Sequence, residues 1–310
     1  MRKEEKKDSI GYWDRHAKNW ERMAYDKEKK FMTFSSSGQR GEITIKEIEK
    51  LSGVKNTPII DVGCADGNLV INLLKRGFKN VTGIDNSKKM IEVAKSALKK
   101  EAPNNDADRI FFVADADNLD ESTTFDFVIA MGLIEYLLDI NSFFSKLSNI
   151  LNPGGFALVE SRNRLFNLFS ANRYTYESDI ETLVSELKDI KRFSPIRNKK
   201  EIESVVIKTA ISIGKAMDNK KPETGENTST NFEKFPFKLP QLTPKEMEDM
   251  CNKNRLKLEY VIYYHPHPFP PQFEGSFPAI FNEIALLMQP LGYTPLGATI
   301  CSSFIAVIKK

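Results

Sequence analysis

The chain has 310 residues, 41% hydrophobic and 28% charged, with a net charge of +3. It is long enough to bury a full core, and too weakly basic to present a nucleic-acid surface. No run approaches the roughly 20 apolar residues that span a bilayer. Cys64, Cys251 and Cys301 form no CxxC pair; so odd and scattered a count does not suggest a disulfide framework and fits a reducing compartment. The opening MRKEEKKDSI lacks an apolar h-region, so a cytoplasmic location is expected.

Residues 1–57 predict a polar, mostly helical lead-in that would form a lid. Tyr12, Trp13, His16 and Trp20 recur at near-helical spacing, and Ile45, Ile48 and Leu51 mark an amphipathic helix over 41–51. From Pro58 the pattern changes to short apolar runs alternating with helical ones. Strands are predicted at 58–62, 80–85, 109–114, 125–131, 156–161, 256–265 and 298–310. Helices are predicted at 68–76, 88–100, 142–151, 244–254 and 279–288. Ser87 is placed to cap the second of these, and Thr243 with Pro244 and Glu246 forms a capping box. Asn152, Pro153, Gly154 and Gly155 stop the third helix.

This alternation predicts an α/β fold with helices on both faces of a mostly parallel sheet. It lapses after Ser161. Residues 162–241 read as helices and loop, with a polar tract over 218–231 and, between 162 and 221, 13 Lys and Arg against 8 Asp and Glu. The expected organisation is a lid (1–57), a core (58–161 and 242–310) and a helical insertion (162–241) that would cap an acceptor.

The chemistry concentrates at Asp61, Gly63, Cys64, Ala65, Asp66 and Gly67, a buried strand running into a tight loop and then a helix. Ligands of open α/β sheets bind at the carboxyl ends of the strands. The spacing is not the GxGxxG of a dinucleotide site, because Asn68 follows Gly67. A carboxylate at 61 is poor company for a pyrophosphate and suits the amino group of an amino-acid ligand. Asp85, about 20 residues on, is placed to bind ribose hydroxyls, and Asp115 with Ala116 to meet an adenine amino edge.

In order and spacing, DVGCADG, GIDNSKKM, FVADADNL, FDFVIAMGLIEYL and LNPGGFALVES resemble the motifs of class I S-adenosylmethionine-dependent methyltransferases. The branch they most resemble includes ubiquinone-biosynthesis O-methyltransferases. YWDRHAKNW resembles that branch's N-terminal helix. The likeness spans roughly 10–161 and, more weakly, 242–310. It implies a doubly wound, seven-stranded Rossmann-like sheet and S-adenosylmethionine as cofactor, with S-adenosylhomocysteine as product. It further implies that Asp61, Gly63 and Gly67 hold the methionine part, with Cys64 and Ala65 also binding the cofactor. Asp85 would take the ribose, Asn86 and Met90 would flank the adenine, Asp115 and Ala116 would meet its edge, and Met131 would face the sulfonium. Ala65 departs from the family's usual glycine.

Methyl transfer to oxygen needs alignment and commonly a base. His265 and His267 follow the sixth strand, His16 lies in the lid, and Glu135 follows the fourth strand; these are the candidate catalytic groups. Two histidines at i, i+2 without a third ligand do not make a metal site. Arg162, Asn163, Arg173 and Tyr174 are candidate acceptor contacts, able to clamp an anionic group. The expected function is methyl transfer to an oxygen, less readily a nitrogen, of a small or conjugated acceptor such as an anionic sugar, a glycan precursor or a secondary metabolite. The alternatives are an RNA or protein methyltransferase and a non-catalytic subunit of the same fold. No nucleic-acid partner is expected, and the state expected is monomer or homodimer.

Overall fold

A computed structural model describes residues 3–20, 36–170, 239–270 and 278–310. Seven strands form one sheet: β1 (Ile59–Val62), β2 (Val81–Asp85), β3 (Phe111–Val113), β4 (Phe125–Ala130), β5 (Leu151–Arg162), β6 (Lys257–Pro266) and β7 (Cys301–Lys309). Their order is β3-β2-β1-β4-β5-β7-β6. β1 to β5 pair in parallel, while β7 runs antiparallel to both β5 and β6. The doubly wound, mostly parallel sheet expected from the sequence is present.

The strands alternate faces with period two. Ile60, Val62, Val128, Ala130, Phe304 and Ala306 belong to one core, and Ile59, Phe127, Ile129, Ile305 and Val307 to the other. Helices α2 (Ser36–Leu51), α3 (Asn68–Lys75) and α4 (Lys88–Glu101) close the second face through Ile48, Leu73 and Leu98. Helices α5 (Ile140–Ile150) and α6 (Pro244–Lys253) close the first through Phe144, Leu147 and Met247. Each burial of such a side chain is worth about 1.5–3 kcal/mol. Polar caps set the starts. Ser87 Oγ accepts from Met90 N at 3.1 Å, and Thr243 with Glu246 completes a reciprocal capping box. Helix α1 (Lys3–His16) lies against α4, and α7 (Pro278–Met288) against β6.

Several boundaries differ from expectation. β5 begins at Leu151, so Asn152 to Gly155 lie within the strand instead of ahead of it. β3 is shorter because Ala107–Ile110 forms a helical turn capped by Asp106. The last strand starts at Cys301, after a helical turn over Gly297–Ile300. Of the segment 162–241, only its two ends are described. Arg164–Phe166 and Asn167–Ser170 are helical turns, and Asn163 pairs with Leu242 in an isolated bridge. The chain therefore leaves the core and re-enters it at the same point. Residues 171–238, with the expected contacts Arg173 and Tyr174, lie outside the described residues. Among the described residues no helix is long and apolar enough to cross a membrane.

Asn163 holds this crossing point. Its buried amide donates to the carbonyls of Ala298 and Cys301, both at 2.8 Å, and its oxygen accepts from Leu165 N at 3.1 Å. Asn163→Ala would strand two buried carbonyls and one N–H. We expect a loss of about 2–4 kcal/mol in unfolding free energy, measured by urea denaturation, because each unsatisfied group costs roughly 1–3 kcal/mol.

Candidate active site

β1 ends at Val62, and the chain turns through Gly63 (φ +79°), Ala65 (φ +46°) and Gly67 (φ +75°) into α3. A Cβ at Gly67 would lie 2.5 Å from Phe111 Cζ and 2.9 Å from Ala94 Cβ. Glycine here lets the helix start press onto β3 and α4, and Gly67 does not line the site. Ala65 takes the left-handed conformation at a cost of about 1 kcal/mol. Asp85, at the tip of β2, fixes the turn by accepting from Ala65 N at 3.0 Å and Ser87 N at 2.8 Å.

A cavity of about 660 Å³ opens along the carboxyl edge of the sheet. It brings together Asp61, Gly63, Cys64 and Ala65 from the loop after β1, and Asp85, Asn86 and Met90 from the end of β2 and the start of α4. Ala116 and Met131 complete the set from the ends of β3 and β4. Asp115 is absent from the wall. Lys6 of α1 binds both its oxygens, at 2.6 and 2.7 Å, and also reaches Asp117. Trp13 and Trp20, the chain's only tryptophans, stand on the wall, with Trp13 edge-on to Tyr136.

The wall is rich in buried acid. Burial raises the Asp61 carboxyl to about 7, against the pull of Arg40 and with Asp85 and Asp66 adding to the rise. Burial raises Asp85 as well. Glu160, at the end of β5, is held by Arg40 Nη1 at 2.5 Å on one oxygen and by the Tyr264 hydroxyl on the other. Arg40 reaches this place over Gly132 (φ +62°), where a Cβ would stand 2.9 Å from Nη1. Glu135 is buried, and its carboxyl is raised by burial and by Glu160, with Arg162 opposing. Its Oε2 has no hydrogen-bond partner among the described residues. Lys6 and Arg76, the other wall cations, are paired with Asp115 and Asp117 and with Glu42 and Glu49. Four carboxylates (Asp61, Asp85, Glu135 and Glu160) thus face two guanidiniums, Arg40 and Arg162. Burying such an excess favours a cationic ligand. No group of three metal-ligating side chains occurs among the described residues.

Two of the three histidines line the cavity. His265 adopts φ +58°, its Nδ1 lies 2.9 Å from Ser302 Oγ, and its backbone N–H donates to Gln39. Burial, reinforced by Arg162, lowers it to about 4. His267 sits among Phe166, Phe281 and His265, at ring separations of 4.7, 5.2 and 4.6 Å. Burial holds it well below its usual range, and neither ring nitrogen has a partner among the described residues. His16 is off the wall, its ring 4.4 Å from Tyr12. Arg162 is on the wall. Asn163 is not, because its amide is consumed by the backbone ties described above. Lys6, Arg40, Glu160, Tyr264 and Ser302 went unnoticed in the sequence. Only Glu160 carried a signal there: an acid at the tip of a core strand, like Asp61 and Asp85.

The model of a methyltransferase domain family matches residues 59–155. The ubiquinone biosynthesis O-methyltransferase of Pelagibacter ubique is 33% identical over 111 residues, 36% of this chain and 44% of that protein. The Rickettsia conorii enzyme of the same name is 31% identical, over 38% of this chain and 39% of its own length. The chain thus matches less than half of either relative. Magnesium protoporphyrin IX methyltransferase from Synechocystis PCC 6803, solved with bound S-adenosylhomocysteine, superposes with a TM-score of 0.58 at 12% identity, covering 99% of both chains. The [4+2]-cyclase SpnF superposes with 0.55 at 13% identity, covering 98% and 96%. At such identities the superpositions show the fold, which by itself does not fix a reaction. Residues 59–155 thus match a methyltransferase domain family, on a fold that the solved methyltransferase shares.

Proposed function

We propose that the chain binds S-adenosylmethionine in this cavity and transfers its methyl group to an oxygen of a small acceptor. The observation that carries the reading is the convergence of residues from four separate strand ends on one acid-rich cavity. A ligand with an ammonium and a sulfonium answers the excess of carboxylate there. Asp61 takes the ammonium and Arg40 the carboxylate of the methionine part. Asp85 takes the ribose hydroxyls, for which its two backbone bonds hold it ready. Met90 and Ala116 bound the adenine. The named relatives are O-methyltransferases, which favours oxygen over nitrogen.

The acceptor half lies toward His265, His267, Phe166 and Arg162, beside Trp13, Trp20, Leu239 and Gln241. A histidine that holds a proton only below about pH 4 is a weak taker of a hydroxyl proton. His265 and His267 therefore orient the acceptor as neutral hydrogen-bonding groups.

Titration with S-adenosylhomocysteine, followed by the fluorescence of Trp13 and Trp20, tests the reading directly. Saturable quenching is expected, and Asp85→Ala should weaken binding about a hundredfold through the loss of two charge-assisted hydrogen bonds. Undiminished affinity in that variant would remove the ribose assignment. The affinity should also depend on pH. In the empty protein Asp61 is protonated below about pH 7, and the ammonium needs it ionised. Affinity is level above that pH and falls by up to about tenfold per unit below it; Asp61→Asn should bind weakly without that slope.

The neutral burial of His265 has a stability consequence. Its folded value, about 4, lies below the unfolded value of about 6.5. The stability it contributes is present above pH 6.5 and is lost as pH falls toward 4. Against His265→Asn, which tolerates the positive φ, the wild type should lose about 2 kcal/mol between roughly pH 7 and 4.5, measured by chemical denaturation at each pH.

A further inference from the structure

Of the acidic groups on the wall, Glu135 and Glu160 are the pair that the binding of the methionine and ribose parts leaves unused. We propose that Glu135 is the catalytic base of the transfer and that Glu160 is its positioning residue. This rests on the S-adenosylmethionine reading above.

The two carboxylates are held differently. Both oxygens of Glu160 are occupied, one by the Tyr264 hydroxyl and one by Arg40. It cannot turn toward an acceptor, and it acts on Glu135 through its fixed charge. Glu135 sits on the turn Ile134–Tyr136, directly after β4, on the cavity wall. Its Oε2 is buried without a partner among the described residues. A bare, buried carboxylate oxygen is costly, and a ligand that uses it relieves the cost. The charges that act with it are Glu160 and Arg162 from β5 and Tyr136 on its own turn; Arg40 from α2 and Tyr264 and His265 from β6 act in turn on Glu160 and Arg162, and Tyr12 of α1 on Tyr136. Burial and the Glu160 charge hold the Glu135 carboxyl well above the usual carboxylate range. It therefore changes charge closer to neutrality than an ordinary glutamate, as a base for a hydroxyl proton should.

The step balances. A lone pair of the acceptor oxygen forms the new C–O bond as the methyl C–S bond breaks, and the C–S pair stays on sulfur. The O–H bond breaks, its pair stays on oxygen, and the proton passes to Glu135 Oε2. One positive charge on sulfur and one negative charge on Glu135 vanish together, so the total charge of the cavity is unchanged. Collapse of an ion pair into two neutral groups suits a low-dielectric site. The acceptor this describes arrives as a neutral hydroxyl rather than an oxyanion.

No acceptor is needed to test the assignment. S-adenosylmethionine carries the sulfonium and S-adenosylhomocysteine the neutral thioether; they differ by one methyl group, which does not titrate, and its charge. Both ligands are titrated calorimetrically into the full chain between roughly pH 5.5 and 8.5, and the ratio of their affinities is followed. Groups that meet both ligands, Asp61 included, cancel in that ratio. The expected result is a preference for the sulfonium that rises with pH by up to about tenfold per unit below the Glu135 midpoint. It should become level with pH in Glu135→Gln, and its midpoint should move to lower pH in Glu160→Gln. A level ratio in the wild type, or a rise that persists in Glu135→Gln, overturns the base. An unmoved midpoint in Glu160→Gln overturns the positioning role, and does so even if Glu135→Gln fails to fold. If neither ligand binds, the S-adenosylmethionine reading falls, and the base assignment with it.

Discussion

The constraint on which the site depends is the burial of more negative than positive charge at one edge of the sheet. An ionised carboxylate taken out of water must be paired, hydrogen-bonded or neutralised. The chain uses all three means. Glu160 is paired by Arg40 and hydrogen-bonded by Tyr264. Asp85 takes two backbone N–H groups. Asp61 and Glu135 are left to hold protons nearer neutrality than a surface carboxylate would. The two least satisfied acids are thus the ones best able to repay a cationic ligand, and the stability given up in the empty protein returns as binding energy.

Arg40 is the hinge of that arrangement. It acts on Asp61 through its charge and grips Glu160 directly, so one guanidinium serves the acids at the tips of both β1 and β5. It can do so only because α2 docks Ile45 and Ile48 into the same core that backs β1 and β4, and because Gly132 offers no Cβ in its path. Lys6 does a comparable service for α1, tying the N-terminal helix to Asp115 and Asp117 beyond β3. The helices preceding the sheet are therefore held at the cavity by buried ion pairs, which are demanding of geometry and weak in net stability.

What the sequence disclosed, and what it hid, follows from the range of the interactions. The core elements were legible because strand alternation and helix caps are local: Ile59 to Val62, or Ser87 with Met90, need only their neighbours. Most of the loop and strand-tip residues were legible for the same reason, since their place is fixed by the strand they end. Arg40, Lys6, Tyr264 and Ser302 were illegible, because each matters only through a partner 37 to 120 positions away. Asn163 was misread: a buried amide among arginines looks the same in sequence whether it binds a ligand or three backbone groups. Asp115 was displaced from the wall by a lysine more than a hundred residues upstream. The early start of β5 shows the same limit. Gly154 and Gly155 signal a turn, yet Leu151 pairs with Phe125 of β4 and both glycines bond the Lys310 backbone, so the strand runs through them into the β7 ladder that begins at Phe156, opposite Lys309.

The direction of β7 finally explains why the wall beside β5 and β6 has the residues it has. In an all-parallel sheet, only strand ends and the loops after them reach the binding edge. β7 is inserted antiparallel between β5 and β6, so its first residues arrive at that edge instead of its last. The register sets Ser303 opposite both Arg162 and Tyr264, and brings Ser302 Oγ to His265 Nδ1 at 2.9 Å. His265 is turned out of the strand by its left-handed backbone, a strain of about 1–3 kcal/mol that the surrounding structure must hold. Ser302 and Gln39 help to hold it. One reversed strand therefore joins the tips of β5 and β6 into a single wall, with Glu160 and Arg162 on one side and Tyr264 and His265 on the other.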